Sequence, residues 1–257
     1  MFQRALITGA SSGIGRAIAE HLAADGTHVV LAARRRGELE SIRAGIVDRG
    51  GQASICVLDV LDTEAVRKEV LHWDEELGGL DLVLANAGVG SNGAVKPDDF
   101  AVTERLIRIN VLGALATLVA ALGPMSARGA GTLGAVTSLA GMRGLPASAD
   151  YSASKAAVSI YLEALRVELS RSPVRVVDIR PGFVDTPLTR RNRFKMPFLM
   201  DVEQAAELAI QGLERGDPVV SFPWQLARAM SVAEALPGAA WRAIAGRLPF
   251  GSGSAPR

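Results

Sequence analysis

Two side chains four residues apart, Tyr151 and Lys155, carry the clearest chemical signal in this sequence. They open a strongly helical stretch, and a spacing of four places both side chains on one face of a helix. A tyrosine hydroxyl normally loses its proton near pH ~10, and a nearby ammonium group lowers that pKa. The pair therefore predicts a tyrosine that gives or takes a proton near neutral pH. Taken alone, the pair has an alternative, a surface tyrosine beside a solvated lysine.

A glycine-rich turn lies between the first predicted strand, residues 5–8, and the first predicted helix, residues 13–25. Glycines let the backbone turn sharply and approach a ligand closely, and a helix N-terminus offers free N–H groups to an anion. This placement is typical of a pyrophosphate-binding turn of a dinucleotide site. The residues predicted to bind there are Gly9, Ser11, Ser12, Gly13, Ile14 and Gly15.

The end of the second predicted strand, residues 28–33, is basic, with arginine at positions 34, 35 and 36. Cofactor sites for NAD usually have an acidic residue here that accepts the ribose hydroxyls. Guanidinium groups instead bind phosphate well. The sequence therefore predicts NADP(H), with Arg34 as the main contact of the 2′-phosphate and Arg35 beside it. The alternative is that these arginines only face water.

Composition narrows the class of protein. The 257 residues are 49% hydrophobic and 21% charged, which suits a large α/β domain with a buried core, and the net charge of +1 gives no indication of nucleic-acid binding. The single cysteine, Cys56, lies in an apolar run and is expected to be buried and inert. No disulfide within the chain, no signal peptide and no metal site are predicted, so a cytoplasmic location is expected.

Short apolar runs alternate with longer amphipathic stretches along the chain. This order predicts a Rossmann-type α/β fold, a doubly wound parallel sheet of about seven strands with helices on both faces. The uncharged stretch 109–127 is about as long as a membrane span, but it contains glycine, proline and polar residues. A helix buried against the sheet explains it better.

Several motifs in a fixed order make the chain resemble the short-chain dehydrogenase/reductase family over about residues 4–222. Besides the glycine turn, the resemblance rests on an Asp-Val pair after the third strand, an Asn-Ala-Gly segment after the fourth, an asparagine, a serine thirteen residues before Tyr151, and a Pro-Gly…Thr segment. It implies cofactor contacts by Asp59, Val60, Asn86, Ala87, Gly88, Tyr151, Lys155, Pro181, Gly182, Val184 and Thr186. Two positions depart from the family pattern: Ala85, where an asparagine is frequent, and Ser12, where NADP-using relatives often carry a basic residue.

The resemblance implies hydride transfer between the nicotinamide and a carbonyl or alcohol carbon of a small molecule. Ser138 would orient the substrate oxygen, Tyr151 would exchange a proton with it, and Lys155 would lower the tyrosine pKa and hold the ribose. Asn110 would position a water linked to Lys155. Two alternatives stay open: Ser138 could cap a turn, and Asn110 could bond the backbone.

Substrate choice depends on segments with weaker signals. Residues 142–149 should line the pocket, and 187–200 should form a lid in which Arg190, Arg191, Arg193 and Lys195 precede an apolar run. For this lid we expect solvated basic groups and apolar residues packed on the sheet. The alternative is a hydrophobic substrate with an anionic or polar head.

The chain divides into a domain over residues 1–222, an amphipathic extension over 223–250 and a disordered tail over 251–257. The extension is expected to pack within a homodimer or homotetramer, and peripheral membrane contact or covering of the pocket mouth are its alternatives. Together these features predict an NADP(H)-dependent oxidoreductase acting on a carbonyl/alcohol pair. An NAD-dependent alcohol dehydrogenase and a non-catalytic, dinucleotide-sensing protein are the alternatives.

Overall fold

Seven parallel strands form one sheet in the computed structural model, which describes residues 1–90, 93, 96, 98–192 and 194–248. Their order is β3-β2-β1-β4-β5-β6-β7. The strands are β1 (Arg4–Thr8), β2 (His28–Ala33), β3 (Gln52–Val57), β4 (Leu82–Ala85), β5 (Thr132–Val136), β6 (Arg175–Pro181) and β7 (Val219–Phe222). The predicted doubly wound parallel sheet is confirmed.

The chain enters the sheet at its middle and winds outward in both directions. It runs from β1 to β3, returns to β4 beside β1, and continues to β7 at the other edge. The strand order reverses between β1 and β4, so the connections leaving these two strands diverge. Sheets of this kind bind ligands in the crevice at the carboxyl ends of such strands.

Helices cover both faces of the sheet and bury one core on each face. They are α1 (Gly13–Ala24), α2 (Arg36–Asp48), α3 (Thr63–Glu76), α4 (Phe100–Ile107), α5 (Ala114–Arg128), α6 (Ala149–Glu168), α7 (Val202–Arg215), α8 (Trp224–Ala235) and α9 (Gly238–Ala245). Helices α1, α2 and α7 pack on one face, while α3, α5 and α6 pack on the other. The inner strands are buried on both sides, which explains their continuous apolar runs, whereas the edge strand β3 is partly exposed.

The stretch expected to be one long helix is interrupted by a π-helical segment, Arg108–Gly113, between α4 and α5. By length and composition alone, the whole span Phe100–Arg128 is apolar enough to cross a membrane. In the fold its inner side is buried, and Ile109, Leu118 and Met125 belong to the core shared with α3 and α6. This is the packing expected of a core helix.

Strand β4 begins two residues later than the sequence pattern suggests, at Leu82 instead of Leu80. The two preceding residues take part in side-chain bonds, and Asp81 also bonds through its backbone to Arg4 and Thr132. The Leu80 N–H donates to Asp74 Oδ1 at 2.8 Å, and Asp81 Oδ2 accepts from the backbone N–H of Arg4 at 2.9 Å. These bonds fix where β4 enters the sheet beside β1.

The C-terminal extension forms α8 and α9 and packs on its own chain. The Arg143 guanidinium donates to the carbonyls of Glu234 at 3.3 Å and Leu236 at 3.0 Å, at the end of α8. Trp241 Nε1 of α9 donates to the Gly144 carbonyl at 3.0 Å. The extension therefore holds the loop between Ser138 and Tyr151. Phe250 and the tail predicted at 251–257 lie outside the described residues.

Candidate active site

The turn after β1 requires glycine. Gly9 and Gly13 have φ values of +71° and +59°, a region that side chains with a Cβ rarely adopt. A Cβ on Gly9 would also lie 2.7 Å from the Ala87 Cα, inside van der Waals contact. Helix α1 starts at Gly13, and the side chain of its N-cap residue, Ser12, makes no capping bond. The first N–H groups of α1 thus point to the cleft, which fits a pyrophosphate.

Asn86 ties the glycine turn to the end of β4. Its Nδ2 donates to the Thr8 carbonyl at 2.9 Å and to the Gly9 carbonyl at 3.3 Å. Its backbone N–H donates to Thr8 Oγ1 at 3.1 Å. A Cβ on Gly15 would overlap the Asn86 amide, so Gly15 makes space for this brace instead of lining the cleft.

Arg34 and Arg35, the first two of the three arginines after β2, have different partners. Arg34 has a side chain that is 54% exposed and lies 3.7 Å from Asp59. Arg35 folds back over the glycine turn, where its Nη2 donates to Ser11 Oγ at 2.8 Å and to Ser12 Oγ at 3.0 Å. Arg35 therefore brings positive charge to the turn itself. It does so beside Ser12, the position where NADP-using members of the family often carry a basic residue. Arg34 faces solvent at the edge of the cleft, with Asp59 as its partner.

A cleft of about 790 Å³ runs along the carboxyl edge of the sheet. Among the residues predicted to bind or react, it is lined by Gly9, Ser11, Ser12, Gly13, Ile14, Arg34, Arg35, Asp59, Val60, Asn86, Ala87, Gly88, Ser138, Tyr151, Lys155, Pro181, Gly182, Val184 and Thr186. Gly15 and Asn110 are not part of its lining. The glycine turn and the Ser-Tyr-Lys set thus share one cleft.

Ser138, Tyr151 and Lys155 meet at the end of β5. Ser138 follows this strand, accepts from the Ala140 N–H at 3.1 Å and donates to the Pro181 carbonyl at 3.3 Å. Tyr151 and Lys155 come from the first turns of α6, and Ser138 is a side-chain hydrogen-bond partner of Tyr151. Ser138 also caps the turn that follows, so the catalytic and the capping interpretations describe the same hydroxyl.

Burial dominates the proton affinities at this site. It raises the pKa of Tyr151 above its ordinary value, and the bond with Ser138 opposes this only in part. Burial lowers the pKa of Lys155 to about 8. The Lys155 ammonium donates to the Val136 carbonyl at 2.8 Å and lies 5.8 Å from the centre of the Tyr151 ring. The expected lowering of the Tyr151 pKa by Lys155 is therefore wrong for the structure described.

Asn110 acts as a brace beneath the cleft. It lies in the π-helical segment, where its Oδ1 accepts from the Val89 N–H at 2.8 Å. Its Nδ2 donates to the Val89 carbonyl at 2.9 Å and to Ser154 Oγ at 3.1 Å. These bonds join the loop after β4 to α6 and favour the backbone-bonding alternative for its side chain.

One helix face lines the cleft although its residues belong to none of the sequence motifs described above. Val102, Arg105, Leu106 and Ile109 line the cleft from α4 and the start of the π-helical segment. Their spacing of three and four is the only sequence signal that identifies them as one face. Arg105 adds another cation to the cleft.

The lid differs from expectation. Arg190 is exposed and pairs with Asp185 at 2.7 Å, as a solvated basic group should. Met200 packs against the core as expected, but Phe198 and Leu199 are 53% and 47% exposed. Arg193 lies outside the described residues.

A glycine turn at the sheet's switch point, in one cleft with a serine, a tyrosine and a lysine, defines the class of dinucleotide-binding oxidoreductases. Residues 3–196 match the model of the short chain dehydrogenase family. The chain belongs to this family.

Relatives and solved structures agree with this family. An uncharacterised oxidoreductase of Myxococcus xanthus is 46% identical over 247 residues, covering 96% of this chain and 98% of that protein. An alcohol dehydrogenase of Thermococcus sibiricus, solved with 5-hydroxy-NADP, has a TM-score of 0.76 at 31% identity and covers 86% of this chain and 94% of its own. A variant of actinorhodin polyketide ketoreductase, solved with NADPH, has a TM-score of 0.80 at 25% identity, with coverage of 88% and 97%.

The brace by Asn86 leads to a prediction about Gly15. Gly15→Ala should displace the Asn86 amide, disturb the glycine turn and weaken NADPH binding by about tenfold or more, since a misplaced backbone loses its contacts with the phosphates. Gly123→Ala is the matched control, because nothing lies within 4 Å of a Cβ there and its backbone is helical. Fluorescence titration with NADPH measures both. Equal affinities in the two variants would contradict the role of Gly15.

Proposed function

We propose that this protein is an NADP(H)-dependent oxidoreductase that interconverts a carbonyl compound and its alcohol. The observation that carries the proposal is the meeting of Ser138, Tyr151 and Lys155 in the cleft that also contains the glycine turn. When bound, the cofactor supplies or accepts the hydride. A protein that only sensed dinucleotides would have no need of a buried proton donor, so this alternative is disfavoured.

Each of the three side chains has a role that fits its surroundings. Ser138 Oγ orients the substrate oxygen by a hydrogen bond. Tyr151, with a raised pKa, keeps its proton at neutral pH and donates it to the oxygen of a carbonyl substrate. Lys155, with a pKa of about 8, is mostly charged at neutral pH. Its ammonium group stabilises the negative charge that develops on the substrate oxygen and on the Tyr151 oxygen during the reaction.

The preference for NADP(H) is supported by the arginines after β2. Strand β2 ends at Ala33, and Arg34 and Arg35 follow it, without a carboxylate for the ribose hydroxyls. The two solved structures described above contain NADP-type ligands. Asp59, 3.7 Å from Arg34, is the observation that favours the alternative, an NAD-dependent alcohol dehydrogenase, because its charge opposes a phosphate.

A hydrophobic carbonyl compound is the substrate class that the lid supports. Leu188 lines the cleft, and Phe198 and Leu199 are exposed farther along the same lid. Exposed apolar side chains beside a cleft are typical of a binding surface.

We also propose a homodimer or homotetramer. An apolar stripe on α6 faces solvent, formed by Ala153, Ala157, Ile160, Ala164 and Val167. Ile160 is 65% exposed and Val167 is 71% exposed. Two further apolar side chains are exposed nearby in the chain, Leu112 of the π-helical segment and Val119 of α5. Because the extension packs on its own chain, this stripe is a better contact surface than the extension. Peripheral membrane contact through the extension and a cytoplasmic location stay predictions.

The proton transfer is tested at the two tyrosines of the chain, Tyr151 and Tyr161. Tyr151→Phe should lower kcat for NADPH-dependent reduction by at least about a thousandfold, because the proton donor is lost. The Kd of NADPH should change by less than about threefold, since the ring remains. Tyr161→Phe, on the same helix, should keep near-normal rates. The assay follows absorbance of NADPH with aldehydes, ketones and lipid-like carbonyl compounds.

A Tyr151→Phe variant that keeps the wild-type rate would refute the proposed function. A wild-type protein that binds NADPH but reduces no carbonyl compound of the panel, at any pH, would support the sensing alternative.

Cofactor choice is tested at Arg34. NADPH should bind at least about tenfold more tightly than NADH, and Arg34→Ala should remove most of that difference, because the guanidinium is the phosphate contact. Arg43→Ala, an exposed arginine on α2, is the control and should leave both affinities unchanged. Tighter binding of NADH by the wild type, unaffected by Arg34→Ala, would overturn the assignment.

Assembly is tested by placing a charge in the stripe. Ile160→Asp should convert the oligomer to a monomer in light scattering coupled to gel filtration, since an unpaired charge would be buried in the contact. Val47→Asp, at a residue of α2 that is 50% exposed, should leave the mass unchanged. A monomeric wild type rules out the oligomer.

A further inference from the structure

A fully buried carboxylate, Asp178, lies beneath the active-site edge of the sheet and has no part in the reaction proposed above. It belongs to β6, pairs with Ala135 of β5, and has 0% exposure. Burying a carboxylate is costly unless charged or hydrogen-bonding partners compensate. Its partners therefore indicate what it does.

Each carboxylate oxygen of Asp178 has its own partner. Thr137 Oγ1, in the residue directly after β5, donates to Asp178 Oδ1. Arg180, two residues along β6, donates from Nε to Asp178 Oδ2 at 2.7 Å. The Arg180 side chain is itself only 17% exposed. The carboxylate is thus held in one orientation between two strands.

The bond to Thr137 fixes a segment that carries two active-site groups. The preceding residue, Val136, provides the carbonyl that accepts from Lys155 Nζ at 2.8 Å. The following residue, Ser138, provides the hydroxyl that partners Tyr151. Because these three residues are consecutive, any shift of Thr137 moves both the lysine acceptor and the serine. Asp178 therefore bears on the positions of all three proposed catalytic side chains.

Asp178 also lies on the sheet face that α6 covers. Val176, two residues earlier on β6, belongs to the core shared with α6, and residues two apart share a face. The negative charge of Asp178 favours the ammonium form of Lys155 and opposes the effect of burial, which lowers the Lys155 pKa to about 8. Without this charge, the desolvated lysine would lose its proton more easily.

Other charges act on the same carboxylate. Arg180 is bonded to it, and Arg166, near the end of α6, is also influenced by it and by Glu163. From the other side, β7 (Val219–Phe222) contributes no charged side chain. Lys155, Arg180 and Arg166 are therefore the described cations that compete for Asp178.

We propose that Asp178 is a positioning residue for this active site: its carboxylate, bonded to Thr137 and Arg180, anchors the end of β5 and places a negative charge on the sheet face that α6 covers. This deepens the proposed function and rests on it, since the role assigned to Lys155 comes from that proposal.

The first test needs no turnover. The chain has four lysines, Lys68, Lys96, Lys155 and Lys195, so NMR of protein with 13C-labelled lysine side chains resolves each titration, and Lys155→Arg assigns the signal. Asp178→Asn keeps the side chain's shape and an acceptor for Thr137 but removes the charge. The pKa of Lys155 should fall by about one unit in this variant, because the charge that favours its ammonium form is lost.

Two further variants separate charge from packing. Arg180→Gln removes a competing cation and should raise the pKa of Lys155. Thr137→Val removes the bond but not the charge, and should change that pKa by less than about 0.3 units while lowering kcat. General loosening of the fold would hydrate Lys155 and raise its pKa in every variant. An unchanged or raised pKa in Asp178→Asn overturns the proposal. If Asp178→Asn does not fold, an unchanged Lys155 pKa in Arg180→Gln overturns the proposal instead.

The second test uses the pH profile of NADPH-dependent reduction. In the wild type the rate should fall as pH rises through the pKa of Lys155, because the charged form is the active one. In Asp178→Asn this alkaline limb should move about one pH unit toward acid, while the Kd of NADPH at pH 6.5 stays within about threefold. A shifted NMR titration with an unshifted limb would overturn the role in catalysis. Failure of the proposed function looks different: turnover then persists in Tyr151→Phe, or the wild type has none.

Discussion

The close approach of β1 and β4 at the switch point is the constraint on which the rest of this structure depends. The connections from the two strands must diverge there while their ends stay in contact, which leaves a crevice but little space beside it. Gly9 allows the backbone of one strand end to touch the other, and Asn86 bonds the two together. Once this junction is fixed, α1 starts with its N-terminus facing the crevice. The cofactor site is thus a consequence of how two strands are joined.

The half of the cleft that contains Tyr151 and Lys155 depends on two charged groups that are buried away from water. On the α6 side of the sheet, Lys155 is 6% exposed and Asp178 is fully buried. Neither group would be stable there alone, since desolvation penalises each charged form. Both are bonded to the end of β5, Lys155 to the Val136 carbonyl and Asp178 to Thr137. A tyrosine with a raised pKa beside a lysine with a lowered one gives the site a proton donor and a cation at neutral pH.

Local patterns in the sequence predicted the sheet and the family, because the periodicity of apolar residues and the glycine turn are short-range features. The prediction was less complete where function depends on pairs distant in the chain. Thr137 with Asp178 and Arg143 with Glu234 join residues 41 and 91 positions apart, and neither pair has a local signal. The pKa of Tyr151 was expected in the wrong direction because desolvation depends on packing that spacing does not reveal. Asn110 had the right position for the family motif, but its bonds to Val89 and Ser154 became visible only in three dimensions.

The contact between Trp241 and Gly144 gives the molecule an internal optical reporter. Of the three tryptophans, Trp241 has its indole bonded to the loop that precedes Tyr151, and the Arg143 guanidinium lies 5.9 Å from its ring. Indole fluorescence is sensitive to hydration and to neighbouring cations. Movements of that loop should therefore change the emission wavelength and intensity of Trp241. The far end of the chain thereby makes events at the catalytic edge visible without any added dye.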